Sequence, residues 1–187
     1  AIDGNNIVVG AHFNDDGGTN SGSAYVFSKQ PDNSWEQVSK LTAADAEAND
    51  RFGNSVAIHG NNIVVGAYGE DDDSGTRGSA YVYSKQPDGS WAQASKLTAS
   101  DAAEGDEFGE CVAIYGNRIV SSTNVGKFYI YEIGQPVQPQ ITECTYGEAP
   151  TADKAEEIIM NKLKGTDIDS VMEKENAFSV DYIVTLA

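Results

Sequence analysis

The sequence predicts an all-β fold made of a repeated unit of four antiparallel strands, and two observations lead to this prediction. First, residues 1–56 align with residues 57–112 without a gap, and about 36 of the 56 aligned positions are identical. Second, each copy contains four short segments rich in Val, Ile, Tyr and Trp, separated by clusters of Gly, Asn, Asp and Pro. A period of this size is typical of an array of one supersecondary unit.

Tight turns join the predicted strands of each unit. Gly60 and Asn61 provide the positive φ of a short hairpin, and Pro87 before Asp-Gly marks a second turn. In the last strand, alternation places Trp91 and Leu97 on one face. Four antiparallel strands per unit favour β-propeller blades over a sandwich. In the second copy the predicted strands are 52–60, 61–67, 78–85 and 90–99.

The repeat weakens towards the end of the chain. Aligning Gly126 with Gly78 deletes about eight residues from the third unit, and two prolines between residues 133 and 145 indicate an extended exit. After residue 148, apolar residues at helical spacing precede an alternating segment. We therefore predict blades over 1–133 (units 1–56, 57–112 and 113–133), an extended linker over 134–148, and a small, truncated α+β segment over 149–187.

Ring closure is the main difficulty of the propeller interpretation. Propellers close with four to eight blades, and this chain encodes two nearly whole units and one altered unit. We expect either further blades upstream of a fragment or processed product, or several chains that complete the ring together.

The charge balance excludes some classes of partner. The chain has 12 basic and 29 acidic residues, a formal charge of −17, which repels nucleic-acid phosphates and anionic lipid surfaces. No apolar run approaches the roughly 18 residues of a membrane span. Two cysteines lack zinc-site spacing, and we hypothesise that Cys144 forms a disulfide with Cys111.

The stretches FGNSVAIHGNNIVVGAY (52–68) and FGECVAIYGNRIV (108–120) resemble FG-GAP repeats, named for Phe-Gly at one strand and Gly-Ala-Pro after the next. His12 and Tyr68 occupy the Pro position. The segment KLTASDAAEGDEFG (96–109), together with GSAYVY, resembles the bacterial and algal subgroup found in large surface and secreted proteins. The resemblance covers about residues 1–133. It implies a propeller related to the integrin α head, which binds partner proteins and performs no catalysis.

The family's calcium site does not carry over to this chain. In integrin-type repeats the calcium loop lies between the Phe-Gly strand and the Gly-Ala-Pro strand, but here that connection is only HGNN or YGNR. No residues of this chain match the calcium ligands.

A different loop, after the Gly-Ala strand, is acidic. It contains Asp71, Asp72 and Asp73 in the second copy, and Asp15 and Asp16 in the first. Calcium takes six to eight oxygen ligands, which carboxylates supply, but adjacent side chains of an extended segment point to opposite faces. Two interpretations therefore stay open, a calcium site and a solvated polar turn, and we favour the turn. The calcium hypothesis predicts that millimolar calcium raises the melting temperature.

A second set of acidic residues lies between the units. Asp45 and Asp50 correspond to Asp101 and Asp106, each pair preceding a Phe-Gly. We expect these aspartates to accept hydrogen bonds from backbone amides in turns, and the two phenylalanines, Phe52 and Phe108, to fill the core.

Catalysis is not expected. Of the two histidines, His12 and His59, the second matches Asp3 in the first unit and Tyr115 in the third, which indicates a tolerant surface position. The chain has no nucleophile elbow, HExxH motif or P-loop.

We therefore predict a non-catalytic extracellular or cell-surface propeller segment that contacts a protein, a glycan or neighbouring copies in adhesion or an extracellular assembly. Two alternatives stay open: a structural or docking domain of a larger enzyme or multi-subunit complex, and a calcium-dependent binding module.

Overall fold

The computed structural model describes residues 1–72, 75–134, 140–145 and 179–180, and shows three main antiparallel sheets in chain order together with one two-stranded hairpin. Consecutive strands pair within each sheet, and no helix lies among the described residues. The all-β fold and the four-stranded antiparallel unit are therefore confirmed. The first sheet consists of β1 (Ile2–Asp3), β2 (Asn6–Ala11), β3 (Ser23–Lys29) and β4 (Trp35–Leu41).

The second sheet repeats the first, with one addition in the loop between its second and third strands. There a small hairpin forms from β7 (Asp71–Asp72) and β8 (Gly75–Thr76). The sheet itself consists of β5 (Val56–His59), β6 (Asn62–Ala67), β9 (Ser79–Lys85) and β10 (Trp91–Leu97). The third sheet contains β11 (Val112–Tyr115), β12 (Arg118–Ser122), β13 (Lys127–Glu132) and β14 (Gln140–Thr145), and β15 (Ser179–Val180) pairs with β14.

The predicted linker over 134–148 needs a correction, because part of it completes the third sheet. Strand β14 pairs antiparallel with β13, with Phe128 opposite Thr142. The prolines that suggested an exit, Pro136 and Pro139, both precede the strand, so they remove no donor from its ladder. Of the predicted α+β segment over 149–187, only the short β15 lies within the described residues.

The strand order does not support the hypothesised Cys111–Cys144 disulfide. Cys111 directly precedes β11, whereas Cys144 lies in β14, with β12 and β13 between them. Three strand spacings of about 4.8 Å separate the two backbones. A disulfide joins Cα atoms roughly 4.4–6.8 Å apart.

A β-bulge overturns the predicted facing of the last strand. In β10 the register shifts between Gln93 and Ser95. As a result Trp91 packs in the core between the first two sheets, whereas Leu97 packs between the second and third. Simple alternation had placed both side chains on one face. The first sheet carries the equivalent shift, opposite Val26 and Phe27.

Each pair of neighbouring sheets encloses a separate hydrophobic core. The first core joins Val8 and Val26 of the first sheet to Ile63 and Tyr81 of the second. The second core lies between the second and third sheets. The central strand β6 contributes to both, which confirms the prediction that its apolar run is buried on both faces.

The Phe-Gly pairs lie between the sheets and join them. The Phe52 amide donates to the Ser21 carbonyl of the first sheet's loop, and the Gly53 amide donates to the Gly66 carbonyl of the second sheet. The backbone of Gly53 also lies so close to Gly10 of the first sheet that only glycine fits there, since a Cβ on Gly10 would lie 1.9 Å from the Gly53 carbonyl oxygen. We call this close backbone contact between a Phe-Gly pair and a glycine of the preceding sheet the Phe-Gly lock. It recurs one repeat later, where a Cβ on Gly66 would lie 2.0 Å from the Gly109 carbonyl oxygen.

Replacing Gly66 with Ala should therefore destabilise the protein by about 3 kcal/mol or more, at the upper end of the range for overpacked sites. The new methyl would meet backbone, which cannot move aside as a side chain can. Urea unfolding measures the loss. Gly60→Ala is the control, because the space around Gly60 is open and only its φ of 58° opposes a side chain, at about 1–2 kcal/mol. Equal losses in the two variants would contradict the lock.

Candidate functional site

The loops between β2 and β3 and between β6 and β9 lie at the same end of the sheets as the connections that follow β4 and β10. This end, which we call the loop end, is tied together by backbone hydrogen bonds. The Asn49 amide donates to Thr19 O, and the Gly69 amide donates to Asp50 O. The connection after β4 therefore holds the loops of both neighbouring sheets in place.

Asp50 and Asp106 accept backbone hydrogen bonds in turns, as expected. The Glu47 amide donates to Asp50 Oδ2 at 2.7 Å, and the Ala103 amide donates to Asp106 Oδ2 at 3.0 Å. Their neighbouring phenylalanines, Phe52 and Phe108, are fully buried. These residues close the turns and fill the core, as the sequence indicates.

Asp45 and Asp101 instead bind side chains of the following sheet. Lys96 Nζ donates to Asp45 Oδ2 at 2.7 Å, and the Tyr129 hydroxyl donates to Asp101 Oδ1 at 2.6 Å. Burial and the bond to Asp101 raise the pKa of Tyr129 above its ordinary value. The tyrosine therefore serves as a neutral donor, and this contact links two sheets.

Asp50 is an unusual buried carboxylate. It is only 1% exposed, and its Oδ1 has no hydrogen-bond partner among the described residues. Burial raises its pKa to about 6, and the nearby carboxylates of Glu70, Asp71 and Glu47 act in the same direction. The equivalent Asp106 has Lys127 Nζ 3.4 Å from its Oδ2. Asp50, in the connection between the first and second sheets, therefore lacks a counterpart of the Lys127 ammonium that lies beside Asp106.

Most of the candidate metal-ligating residues already have partners in the loops. Asp15 Oδ1 accepts from the Asn20 amide, and Asp16 pairs with Lys40 and accepts from Ser23 Oγ. The Lys40 ammonium and the Ser23 hydroxyl hold the pKa of Asp16 below its ordinary value. In the first copy these aspartates shape the loop.

In the second copy Asp71 and Asp72 lie in strand β7 of the small hairpin, and Asp71 is exposed. Asp73 and the side chain of Asp72 lie outside the described residues. Within the described ranges, no group of three or more His, Cys, Asp or Glu side chains is arranged to hold a metal ion. The calcium hypothesis for Asp71, Asp72, Asp73, Asp15 and Asp16 stays a prediction.

The connection that holds calcium in integrin-type repeats is a two-residue turn in each sheet of this chain. His59 pairs directly with Asn62, and Tyr115 pairs with Arg118. In the third sheet the acidic loop is also reduced, because Ser122 pairs with Phe128 across a short connection. The predicted deletion in this unit is therefore confirmed.

An exposed cluster of aromatic residues and an arginine lies at the loop end, and sequence patterns alone did not indicate it. The Arg51 guanidinium lies 5.3 Å from the Phe13 ring centroid and 5.8 Å from that of Tyr68, and the His12 ring lies 4.1 Å from Phe13. Phe13 is 63% exposed. We call Phe13, Arg51 and Tyr68 the aromatic–arginine patch.

The patch has no counterpart one repeat later. The equivalent positions between the second and third sheets are Gly69, Glu107 and Asn124. Arg51 and Glu107 share a left-handed backbone, with φ of 58° and 54°. The scaffold is thus the same at both positions and only the side chains differ. The difference between the copies at these three positions is visible in the sequence and could have marked them as candidate binding residues. The sequence does not show that the three side chains lie together.

The comparisons with known proteins agree with the fold. The model of the FG-GAP repeat matches residues 1–27, 35–83 and 91–131, more than half of the chain. No curated protein matched. No helix among the described residues is long and apolar enough to cross a membrane. FG-GAP repeats occur in adhesion-type and extracellular proteins, and their propeller domains are generally non-catalytic. With its three propeller-like blades and its Phe-Gly locks, the chain belongs to the FG-GAP repeat family.

Proposed function

We propose that this chain is a non-catalytic extracellular or cell-surface propeller segment whose loop end binds a protein or glycan partner in adhesion or an extracellular assembly. The aromatic–arginine patch is the observation that carries the proposal. Aromatic residues and Arg are enriched where binding energy concentrates in protein interfaces. Here they are held on a rigid scaffold, in one copy of the repeat.

The chemistry of the patch suits either class of partner. Phe13 offers a flat apolar surface, and the Arg51 guanidinium is stacked beside it with donors that can reach carboxylate or carbonyl oxygens. The carboxylates of Asp15 and Asp71, in the loops that follow β2 and β6, can accept hydrogen bonds from hydroxyl or amide groups. A protein surface with an acidic or carbonyl-rich edge, or a sugar face, meets these requirements.

The repeat supplies a matched test of this function. Phe13→Gly, Arg51→Glu and Tyr68→Asn together give the first loop end the residues of the second, which the fold already tolerates. The full chain and this triple variant would be compared on a glycan array and in titrations on intact cells. We expect the variant to lose at least tenfold in binding, at an unchanged melting temperature.

The control is Glu107→Arg, placed at the equivalent position one repeat later, and we expect it to bind like the unmodified chain. Equal binding by the triple variant and the unmodified chain would overturn the proposed patch. Absence of binding by the unmodified chain in both assays would overturn the binding function.

The alternative function, docking within a larger enzyme or multi-subunit complex, uses the same scaffold and leaves the chemistry to another domain. The sequence of the full-length gene separates the two, since an attached catalytic domain favours docking. A calcium-dependent form of either function rests on the acidic loops that contain Asp15, Asp16 and Asp71–Asp73.

A further inference from the structure

Arg51, at the centre of the aromatic–arginine patch, has aromatic neighbours in place of an acidic partner. Its guanidinium lies 5.3 Å from the Phe13 ring centroid and 5.8 Å from that of Tyr68. With the described residues this guanidinium forms neither a hydrogen bond nor an ion pair, although the chain has 29 acidic residues. Arg118, by contrast, donates to Glu132 Oε1 at 3.3 Å. The Arg51 donors are therefore available to a ligand.

The carboxyl group of the preceding residue, Asp50, does not neutralise Arg51. Asp50 is 1% exposed, and its Oδ2 accepts a hydrogen bond from the Glu47 amide. Arg51 has a left-handed backbone with φ of 58°, and its half-buried side chain lies among the rings of the loop end. The fold therefore directs the carboxyl group into the interior and the positive charge to the surface.

The guanidinium group defines the chemistry of its ligand. An arginine that stacks on aromatic rings keeps its charge and presents N–H donors at the edge of its plane. A carboxylate accepts two of these parallel donors at once, and such charge-assisted pairs are stronger than bonds to neutral oxygens. An anionic group with two acceptor oxygens is therefore the natural partner of Arg51.

The charge around the patch narrows the kind of anion. The formal charge of the chain is −17, and exposed Asp15 and Asp71 lie in the loops that carry Phe13 and Tyr68. Such surroundings repel polymers with closely spaced phosphate or sulfate groups. A single carboxylate on an otherwise neutral ligand brings negative charge only to the place where Arg51 neutralises it.

The same two aspartates favour a sugar over an acidic peptide. Ionised carboxylates only accept hydrogen bonds, so the ligand must bring donors close to its own carboxylate. A sugar ring carries hydroxyl donors around its edge, and its apolar C–H face can pack on the negative face of an aromatic ring such as Phe13 or Tyr68. A peptide brings one N–H group per residue and further carbonyl acceptors.

We propose that the aromatic–arginine patch binds a uronic acid residue of an otherwise neutral glycan. Arg51 binds the sugar carboxylate, Phe13 and Tyr68 contact the sugar ring, and Asp15 and Asp71 accept from its hydroxyl groups. This assignment rests on the proposed binding function of the loop end and names the ligand class.

Two acidic disaccharides are the probes, glucuronic acid linked to glucose and galacturonic acid linked to rhamnose. Each is used as the free acid and as the methyl ester, which differ in the charge of one group. Isothermal titration calorimetry of the full chain at pH 7 measures the dissociation constants. We expect at least one free acid to bind about tenfold or more tightly than its ester, since one charge-assisted pair is lost in the ester.

Arg51→Gln tests the anchor, and it should fold because the Arg51 side chain forms no bond within the described chain. We expect this variant to bind the free acid no more tightly than the ester. Arg118→Gln is the matched control, because it makes the same change in net charge at an arginine that already pairs with Glu132. It should keep the preference for the acid.

Three results would overturn the uronic acid assignment: equal binding of acid and ester, a preference for the acid that survives in Arg51→Gln, and a Gly-Asp-Gly peptide that binds as tightly as the sugars. Failure of both disaccharides, with binding to cells or other glycans retained, would also overturn it and leave the proposed binding function in place. Loss of binding in every assay would overturn both.

Discussion

Replacing Phe52 with Ala should cost about 3–5 kcal/mol of the free energy of unfolding, the usual loss for a buried Phe. The ring is fully buried and contacts Tyr81 and Tyr83 at centroid distances of 5.5 and 6.0 Å. It also belongs to the core shared with Val8 and Val26 of the first sheet. Its loss leaves a cavity between two sheets. Urea denaturation followed by circular dichroism measures the change.

Phe13→Ala is the matched control for this substitution. Phe13 lies in the same part of the molecule but is 63% exposed, so its loss should change stability by no more than about 0.5 kcal/mol. It should instead weaken partner binding. A Phe52→Ala protein as stable as the Phe13→Ala protein would contradict the role of the Phe-Gly pair in joining the sheets.

Asp50 should make the protein less stable as the pH rises from 4 to 7. Its folded-state pKa of about 6 lies above the ordinary value of 3.8, so between these values the folded state holds a proton that the unfolded state has released. Stability from this group is complete below pH 4 and is lost as the pH rises through 6. Two units of pKa correspond to about 3 kcal/mol.

The Asp50→Asn variant tests this pH dependence of stability directly. The amide can keep the bond from the Glu47 amide and carries no charge, so the variant should be about 2–3 kcal/mol more stable than the parent at pH 8. The free energies of unfolding of the two proteins should converge near pH 4. Asp106→Asn is the control, because it removes a carboxylate that Lys127 already neutralises, and it should not stabilise the protein. An unchanged stability difference between Asp50→Asn and its parent from pH 4 to 8 would refute the account.

The sequence alone predicted the local features of this structure. The repeat of 56 residues, the hairpin turns and the apolar run of β6 predict the strands and their antiparallel order, because these features depend on neighbours in the chain. The same reasoning correctly assigned Phe52 and Phe108 to the core. Asp50 and Asp106 were correctly assigned to turns, although the missing cation beside Asp50 appears only when the two connections are compared in space.

The errors share a cause. The bulge in β10 adds one unpaired residue, Ala94, and so reverses the face of every residue beyond it, which alternation cannot anticipate. The pairing of β14 with β13 depends on a long-range contact that two nearby prolines concealed. The Cys111–Cys144 disulfide stays a prediction, and the strand order of the third sheet, which depends on long-range pairing, does not support it.

The sequence by itself therefore determined the repeat, its strands and the residues that fill each blade. The tertiary structure decided which of these residues meet. It brings Phe13, Arg51 and Tyr68 from three segments into one patch, and it buries Trp91 while leaving Trp35 exposed. Identical local sequences acquire different surroundings because the contacts between sheets come from other parts of the chain, and that is where the candidate functions of this protein lie.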